Sequence, residues 1–374
     1  MIHRKKTNKV RVGNVEIGGD APISVQSMTT TQTTNIDATV QQIWELIPAG
    51  CEIIRVAVPD MAAAKCLGEI RRQINIPLVA DIHFQYQLAL EAIEQGVDKL
   101  RLNPGNIRDP EKVALVCNAA KERGIPIRIG VNAGSVNIKK YPDATPEALV
   151  DSAKEHVHVL EDNDFHDIII SLKSTDVPTM IKAYQMASEE FDYPLHLGVT
   201  EAGLPWQGNI RSAVGIGALL SQGIGDTIRV SLTGDSCEEA KAGHEILRAL
   251  NLRASGITLI SCPSCGRADV DIVAMANEVD KRLRERPDLM KIPMRVAVMG
   301  CEVNGPGEAR HADVGLAGGV GVGLLIEDGE IVRKYKEDEM VDALMARIEE
   351  KARQFEAGIG GGTEETGLLK IATG

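Results

Sequence analysis

Three cysteines stand where they could share one metal centre. Cys262 and Cys265 form a C-P-S-C run directly after an apolar segment, and Cys301 follows the next apolar segment in MGCEVNGPGEA. Two strands ending side by side would gather all three sulfurs. The flanking Pro263, Gly266, Gly300, Gly305, Pro306 and Gly307 favour turns whose exposed N–H groups can bond to sulfur. Such thiols can hold an iron–sulfur cluster, form half a zinc site, or work as a redox dithiol. Zinc and a cubane cluster each want a fourth ligand, and His311 is the remaining Cys or His of this region. Glu308, seven residues after Cys301 in the same Gly-rich loop, is an alternative. An oxygen ligand on one iron exchanges readily and leaves that iron open to a substrate oxygen. Spacing alone leaves cluster, zinc and dithiol open. Cys51, Cys66 and Cys117 read as small buried hydrophobes, and Cys237 is the rival fourth ligand.

A second constellation is cationic. Arg55 (IIRVAV), Arg101 (KLRLNPG), Arg128 (IRIGVN), Lys173 (IISLKS) and Arg229 (TIRVSL) lie inside apolar runs. Burying an unpaired cation is costly, so each needs a partner. Acids at strand ends are fewer, with Asp81 and Glu201 the clearest. The surplus positive charge asks for an anion of two or three charges, and guanidinium forks suit the phosphate oxygens of a diphosphate. Asp81 and His83 are two apart and share a strand face. Asn132 and Ser231 end their strands beside Arg128 and Arg229, and Glu201 is a candidate proton donor.

Eight short β-rich runs place these residues: 23–28, 52–58, 77–83, 99–103, 126–132, 167–173, 194–201 and 227–232. They are nearly continuous in Val, Ile and Leu, as strands buried on both faces are. Helical patterns separate them. One over 35–47 puts Val40, Ile43, Trp44 and Ile47 on a single face, and others open with caps at Asp109-Pro110-Glu111 and Thr145-Pro146-Glu147. Eight βα units in about 250 residues point to a (β/α)8 barrel rather than an open doubly wound sheet. After residue 254 the rhythm changes. Strands at 256–261, 294–299, 312–316 and 320–326, helices at 268–286 and 337–355, and a hairpin turn at Asp328-Gly329 describe a small α+β domain. The expected division is 1–254, a TIM-barrel substrate-binding domain; 255–357, a metal-binding domain; and a Gly-rich disordered tail over 358–374.

Composition narrows the partners. The 374 residues exceed one compact core, and the net charge of -12 argues against sequence-independent nucleic-acid binding. No signal peptide or bilayer-spanning run is visible, so a soluble cytoplasmic protein is expected. Seven cysteines, an odd number, do not suggest a disulfide framework.

The motifs VQSMT (25–29), RVAVP (55–59), LVADIHF (78–84), LRLNPGN (100–106), IRIGVNAGS (127–135), LGVTEAG (197–203), CPSC (262–265) and GCEVNGPGEA (300–309) resemble, in order, those of the 4-hydroxy-3-methylbut-2-enyl diphosphate synthases in their bacterial two-domain form. The resemblance implies a TIM barrel followed by a small reductase-like domain with a [4Fe–4S] cluster. It further implies reductive ring opening and dehydroxylation of 2-C-methyl-D-erythritol 2,4-cyclodiphosphate in isoprenoid biosynthesis. Flavodoxin or ferredoxin is the implied donor of two electrons. Cys262, Cys265, Cys301 and Glu308 are then the cluster ligands. Arg55, Arg101, Arg128, Asn132, Lys173, Arg229 and Ser231 hold the diphosphate. Asp81, His83 and Glu201 line the reacting end, with Glu201 the acid. A homodimer is implied, in which one chain's cluster domain caps the other chain's barrel. The loop LPWQGN (204–209) matches no fixed pattern of the family. The alternatives from the residues alone are a zinc-containing barrel lyase or transferase and a non-enzymatic metal-binding module.

Overall fold

The computed structural model describes residues 2–82, 85–103, 106–107, 109–132, 134, 136, 140–253, 256–286, 288–289, 292–301 and 305–357. His83 and the Gly-rich tail lie outside the described residues. The chain divides into two compact units, Met1–Arg253 and Ala254–Gly374.

In the first unit, β1 (Val10–Val12) and β2 (Val15–Ile17) form an antiparallel hairpin. Eight βα repeats follow. The strands are β3 (Ser24–Met28), β4 (Ile53–Ala57), β5 (Leu78–Asp81), β6 (Lys99–Arg101), β7 (Ile127–Val131), β8 (Ile168–Leu172), β9 (His196–Leu197) and β10 (Thr227–Ile228). The helices after them are α1 (Ile36–Leu46), α2 (Met61–Arg72), α3 (Tyr86–Glu94), α4 (Pro110–Arg123), α5 (Pro146–Glu161), α6 (Val177–Glu190), α7 (Pro205–Ser221) and α8 (Ser236–Ala249). The strands pair in parallel in the order β8-β7-β6-β5-β4-β3-β10-β9. A parallel bridge between Ile170 and Leu195 joins the two ends of the ring. This is the expected (β/α)8 barrel.

Helix starts follow the sequence signals. Asp60, Thr145 and Asp176 accept from the backbone N–H of Ala63, Ala148 and Thr179, and α4, α5 and α6 carry proline in the first turn. The face of α1 differs from expectation. Val40, Ile43 and Leu46 are buried, but Trp44 is 47% exposed and donates its indole N–H to the carbonyl of Gln73. A short helix on a barrel wall presents too narrow an inner stripe to bury an indole.

The N-terminal hairpin, which apolar periodicity over three-residue strands did not reveal, closes the barrel floor. Val10, Val12 and Ile17 pack with Ile53, Val79 and Ile169, residues at the starts of β4, β5 and β8. The opposite end, formed by the strands' C-termini, is the face on which barrel active sites form.

The second unit contains β11 (Ile257–Ser261), α9 (Ile272–Arg284), β12 (Met294–Met299), α10 (Gly305–Glu308), β13 (Val314–Gly319), β14 (Val322–Glu327), β15 (Glu330–Lys336) and α11 (Met340–Glu356). The sheet runs β11-β12-β13-β14-β15, with the first three strands parallel and the last two antiparallel. Val279, Leu283, Val296, Val298, Leu316, Leu344 and Ile348 form its separate core. The α+β expectation holds. β15 was not foreseen as a strand because six of its seven residues are exposed, so it carries no buried alternation. Among the described residues no helix is long and apolar enough to cross a membrane.

Candidate functional site

The barrel interior follows from the two-residue period of its strands. Arg55 on β4, Asp81 on β5, Arg101 on β6, Arg128 on β7, Ser171 on β8 and residues just past β8, β9 and β10 (Lys173, Thr200, Arg229, Ser231) all face one cavity of about 190 Å³. Asn132, just past β7, lines it as well. Seven residues expected to bind a diphosphate thus share this cavity, together with Asp81.

Ion pairs account for part of the charge. Asp81 lies between two guanidinium groups, 3.1 Å from Arg101 Nη1 and 3.6 Å from Arg55 Nε. Arg55 also points Nη2 at Met28 Sδ, 2.9 Å away. Arg229 pairs with Glu239 at 3.3 Å, and Glu239 in turn accepts from the N–H of Leu232 at 2.8 Å. Arg128 is 1% exposed and donates Nη1 to Ser171 Oγ at 2.6 Å, while its Nε and Nη2 meet no acceptor among the described residues. Within the barrel the described cations are Arg55, Lys99, Arg101, Arg128, Lys173 and Arg229, set against the carboxylates of Asp81 and Glu239. Six against two leaves a surplus of four basic side chains.

Burial, and after it that surplus, perturbs the cations. Burial pushes Arg55 down to about 10, with Asp81 opposing and Arg229 and Arg101 adding to the effect. Burial first, then Arg55 and Arg101, holds Arg128 well below the usual guanidinium value. Lys173 is depressed by burial and then by Arg128, Arg229, Arg55 and Arg101. An anion in the cavity relieves all three, because it replaces like-charge repulsion by attraction.

Gly130 makes room for this arrangement. A Cβ there would stand 2.4 Å from Arg101 Nε, and the Gly130 backbone is itself ligated on both sides. Its carbonyl accepts from Arg101 Nη2 and Asn103 Nδ2, and its N–H donates to Asn103 Oδ1.

One expected catalytic position, Glu201, is not part of the cavity wall. Glu201 is exposed, adopts φ 52°, and does not line the cavity. His83 lies outside the described residues. Conversely, Lys99 and Glu239 were missed. Lys99 opens its strand ahead of the apolar residues and so looks like a flank. Glu239 looks like an ordinary first-turn acid of α8. Its signal is its place on the buried face with Ala240, Gly243 and Leu247.

The cysteine cluster is built on β11 and β12. Ser261 pairs with Val298, so the residues that follow, Cys262 and Gly300-Cys301, leave the sheet from adjacent parallel strands. Cys262 N–H donates to the Val298 carbonyl, and Gly300 N–H donates to Cys262 Sγ at 3.2 Å. Ser264 in the C-P-S-C turn has φ 62°. Hydrogen bonds from Asp269 N–H to the Gly300 carbonyl and from Ala268 N–H to the Cys265 carbonyl tie that loop to the end of β12. Cys301 is buried, Cys262 half-buried and Cys265 exposed, and all are free thiols. Glu308 ends α10 and is exposed. That turn lies tight on the sheet, since a Cβ on Gly305 would stand 2.7 Å from Ala317 Cβ.

Among the described residues no three His, Cys, Asp or Glu side chains are grouped as a single ion requires. The donor set fits a group in which each thiolate binds its own iron, and the Gly300 N–H on Cys262 Sγ is the kind of bond that tunes a cluster sulfur. His311 is exposed. Cys237 is half-buried with its thiol toward the Glu45 carbonyl on α1. Of the three cysteines read as buried hydrophobes, Cys51 and Cys117 are buried and Cys66 is half-buried.

A family model described as the GcpE TIM-barrel domain matches residues 7–244, and one described as the GcpE protein C-terminal domain matches residues 258–350. The chain is 57% identical over 360 residues to a protein of Symbiobacterium thermophilum, covering 96% of each. It is 57% identical over 351 residues to one of Clostridium perfringens, covering 93% of this chain and 99% of the other. A protein of Geobacillus thermodenitrificans is 55% identical over 358 residues, covering 95% of each. All three are named 4-hydroxy-3-methylbut-2-en-1-yl diphosphate synthase (flavodoxin). The chain therefore belongs to the GcpE family, whose curated relatives across nearly its whole length are oxidoreductases of that name.

Proposed function

We propose that the chain reduces 2-C-methyl-D-erythritol 2,4-cyclodiphosphate to 4-hydroxy-3-methylbut-2-enyl diphosphate in isoprenoid biosynthesis. The observation that carries this reading is the surplus of interior cations around a cavity at the C-terminal ends of the barrel strands. Two electrons and a proton open the cyclic dianion, release the hydroxyl as water and leave a diphosphate with one more negative charge.

Arg128, whose Nε and Nη2 meet no acceptor among the described residues, Lys173 and Arg229 bind the diphosphate oxygens. Asn132 and Ser231 add neutral hydrogen bonds at the same wall. Asp81 orients Arg55 and Arg101 so that both forks face the anion. The charge gained on ring opening is stabilised by groups already in place, so little reorganisation accompanies the reaction. Asp81 and His83 are assigned to the reacting end, and Glu201 to delivery of the proton to the departing hydroxyl. Its exposed position means that it must be carried inward as substrate binds. A [4Fe–4S] cluster held by Cys262, Cys265, Cys301 and Glu308 supplies the electrons one at a time when bound. The donor is flavodoxin or ferredoxin, and the names of the relatives favour flavodoxin. The working unit is a cytoplasmic homodimer.

The test is turnover of the cyclodiphosphate by anaerobically prepared protein with reduced flavodoxin. The unmodified protein is expected to form the open diphosphate. Arg128→Met should lose at least a hundredfold in kcat/KM, about 3 kcal/mol of lost charge-assisted bonding. An Arg128→Met protein with undiminished kcat/KM would remove the cavity from the reaction.

A further inference from the structure

Lys99 opens β6 and faces the barrel interior two residues before Arg101. It is 0% exposed and is not part of the cavity lining. Its Nζ donates to Gln26 Oε1 on β3 at 3.1 Å, and Gln26 Nε2 has no partner among the described residues. The charges that bear on Lys99 are Arg128 on β7 and Arg55 on β4, both cations. His196 on β9 is a further buried titratable group, depressed by burial and then by Arg128, Lys173 and Lys99. Among the described residues the barrel's carboxylates are Asp81 on β5, which pairs with Arg101 and Arg55, and Glu239, which pairs with Arg229 just past β10. Among the described residues an ammonium at Lys99 has no counter-charge, and a buried amine in that position is driven toward its neutral form. Burial and the two arginines depress it accordingly.

We propose that Lys99 is a positioning residue of the anion site whose charge follows occupancy: a neutral amine before the anion enters, it takes one proton from solvent when a phosphate-bearing dianion binds above it. The proposal rests on the anion-binding reading of the cavity. Two residues of strand place the Arg101 level about 7 Å above Lys99. At an effective dielectric of ~20, each negative charge at that distance favours the ammonium by roughly fiftyfold. A dianion therefore favours it by a few thousandfold, which opposes the depression by burial and by the two arginines. The floor then gains a positive charge when the diphosphate arrives, and again has something to hold when the product's extra charge appears.

The test is calorimetric titration of the full-length protein with sulfate, a dianion that does not titrate near neutrality, at pH 8 in two buffers of different ionisation heat. Binding should take up about one proton per sulfate, and affinity should fall about tenfold per pH unit as the pH rises through this range. Lys99→Met and Lys99→Gln, each checked for native circular dichroism, should bind sulfate with no proton uptake and a flat pH profile. If sulfate binds without uptake, or if uptake persists in either folded variant, the proton belongs to no group or to His196 or Lys173, and the assignment of Lys99 is overturned. If sulfate and inorganic pyrophosphate both fail to bind the unmodified protein, the anion-site reading falls first and takes this proposal with it.

Discussion

Arg101 and Gly130 illustrate how single atoms set the site. The Arg101 guanidinium occupies the space that a side chain at Gly130 would fill. Gly130→Ala should keep the barrel, because the three nearest atoms all belong to that one side chain, but it should push the fork off Asp81. We expect KM for the cyclodiphosphate to rise by about ten- to a hundredfold, equivalent to about 1–3 kcal/mol of misplacement, with a smaller change in kcat. Steady-state kinetics decide it, and an unchanged KM would show that Arg101 does not need this space. Much of the constellation was legible because a charge within an apolar run must be explained. Arg55, Arg101, Arg128, Lys173 and Arg229 announced themselves in that way, and all five line one cavity. Lys99 and Glu239 did not. The first sits at a strand boundary, where a cation is ordinarily solvated, and the second on a helix, where the acid suits the N-terminal dipole without any burial. The exposure of Glu201 was illegible for a different reason, since it depends on where the chain turns after β9 and not on the strand's own pattern.

At the scale of elements, the eight strands and their order could be read from apolar runs, but their lengths could not. β9 and β10 are two residues each, against runs of eight and six read from composition. The chain leaves the ladder there to bring Thr200, Arg229 and Ser231 to the cavity, so polar residues that look like strand are barrel mouth. Helices have their own consequence for pH. His156 on α5 is 7% exposed, and burial lowers its imidazole to about 4. A neutral buried imidazole that must be protonated on unfolding contributes nothing above pH ~6.5. It destabilises progressively as the pH falls from there toward 4, by about 3 kcal/mol at the lower end. Urea unfolding between pH 7 and 4 should therefore lose stability on this limb, and His156→Leu should flatten it. An equally steep acid limb in the variant would assign the effect to other groups.

Each unit keeps its own core, with Val25, Ile54 and Leu100 in the main cluster of the first and Val296, Leu316 and Leu344 in that of the second. Each presents a different half of the chemistry: a cationic cavity on the first and three free thiols at one end of a sheet on the second. The acidic surface implied by a net charge of -12 surrounds a barrel that is positive inside, so the attraction for a diphosphate is confined to the mouth. The proposed function requires a redox group on the second unit, and the measurement closest to that claim is metal and sulfide analysis of protein purified without air. The account predicts about four iron and four acid-labile sulfide per chain, lost from Cys301→Ser protein that still folds. Zinc without sulfide, or full turnover by Cys301→Ser, would contradict it.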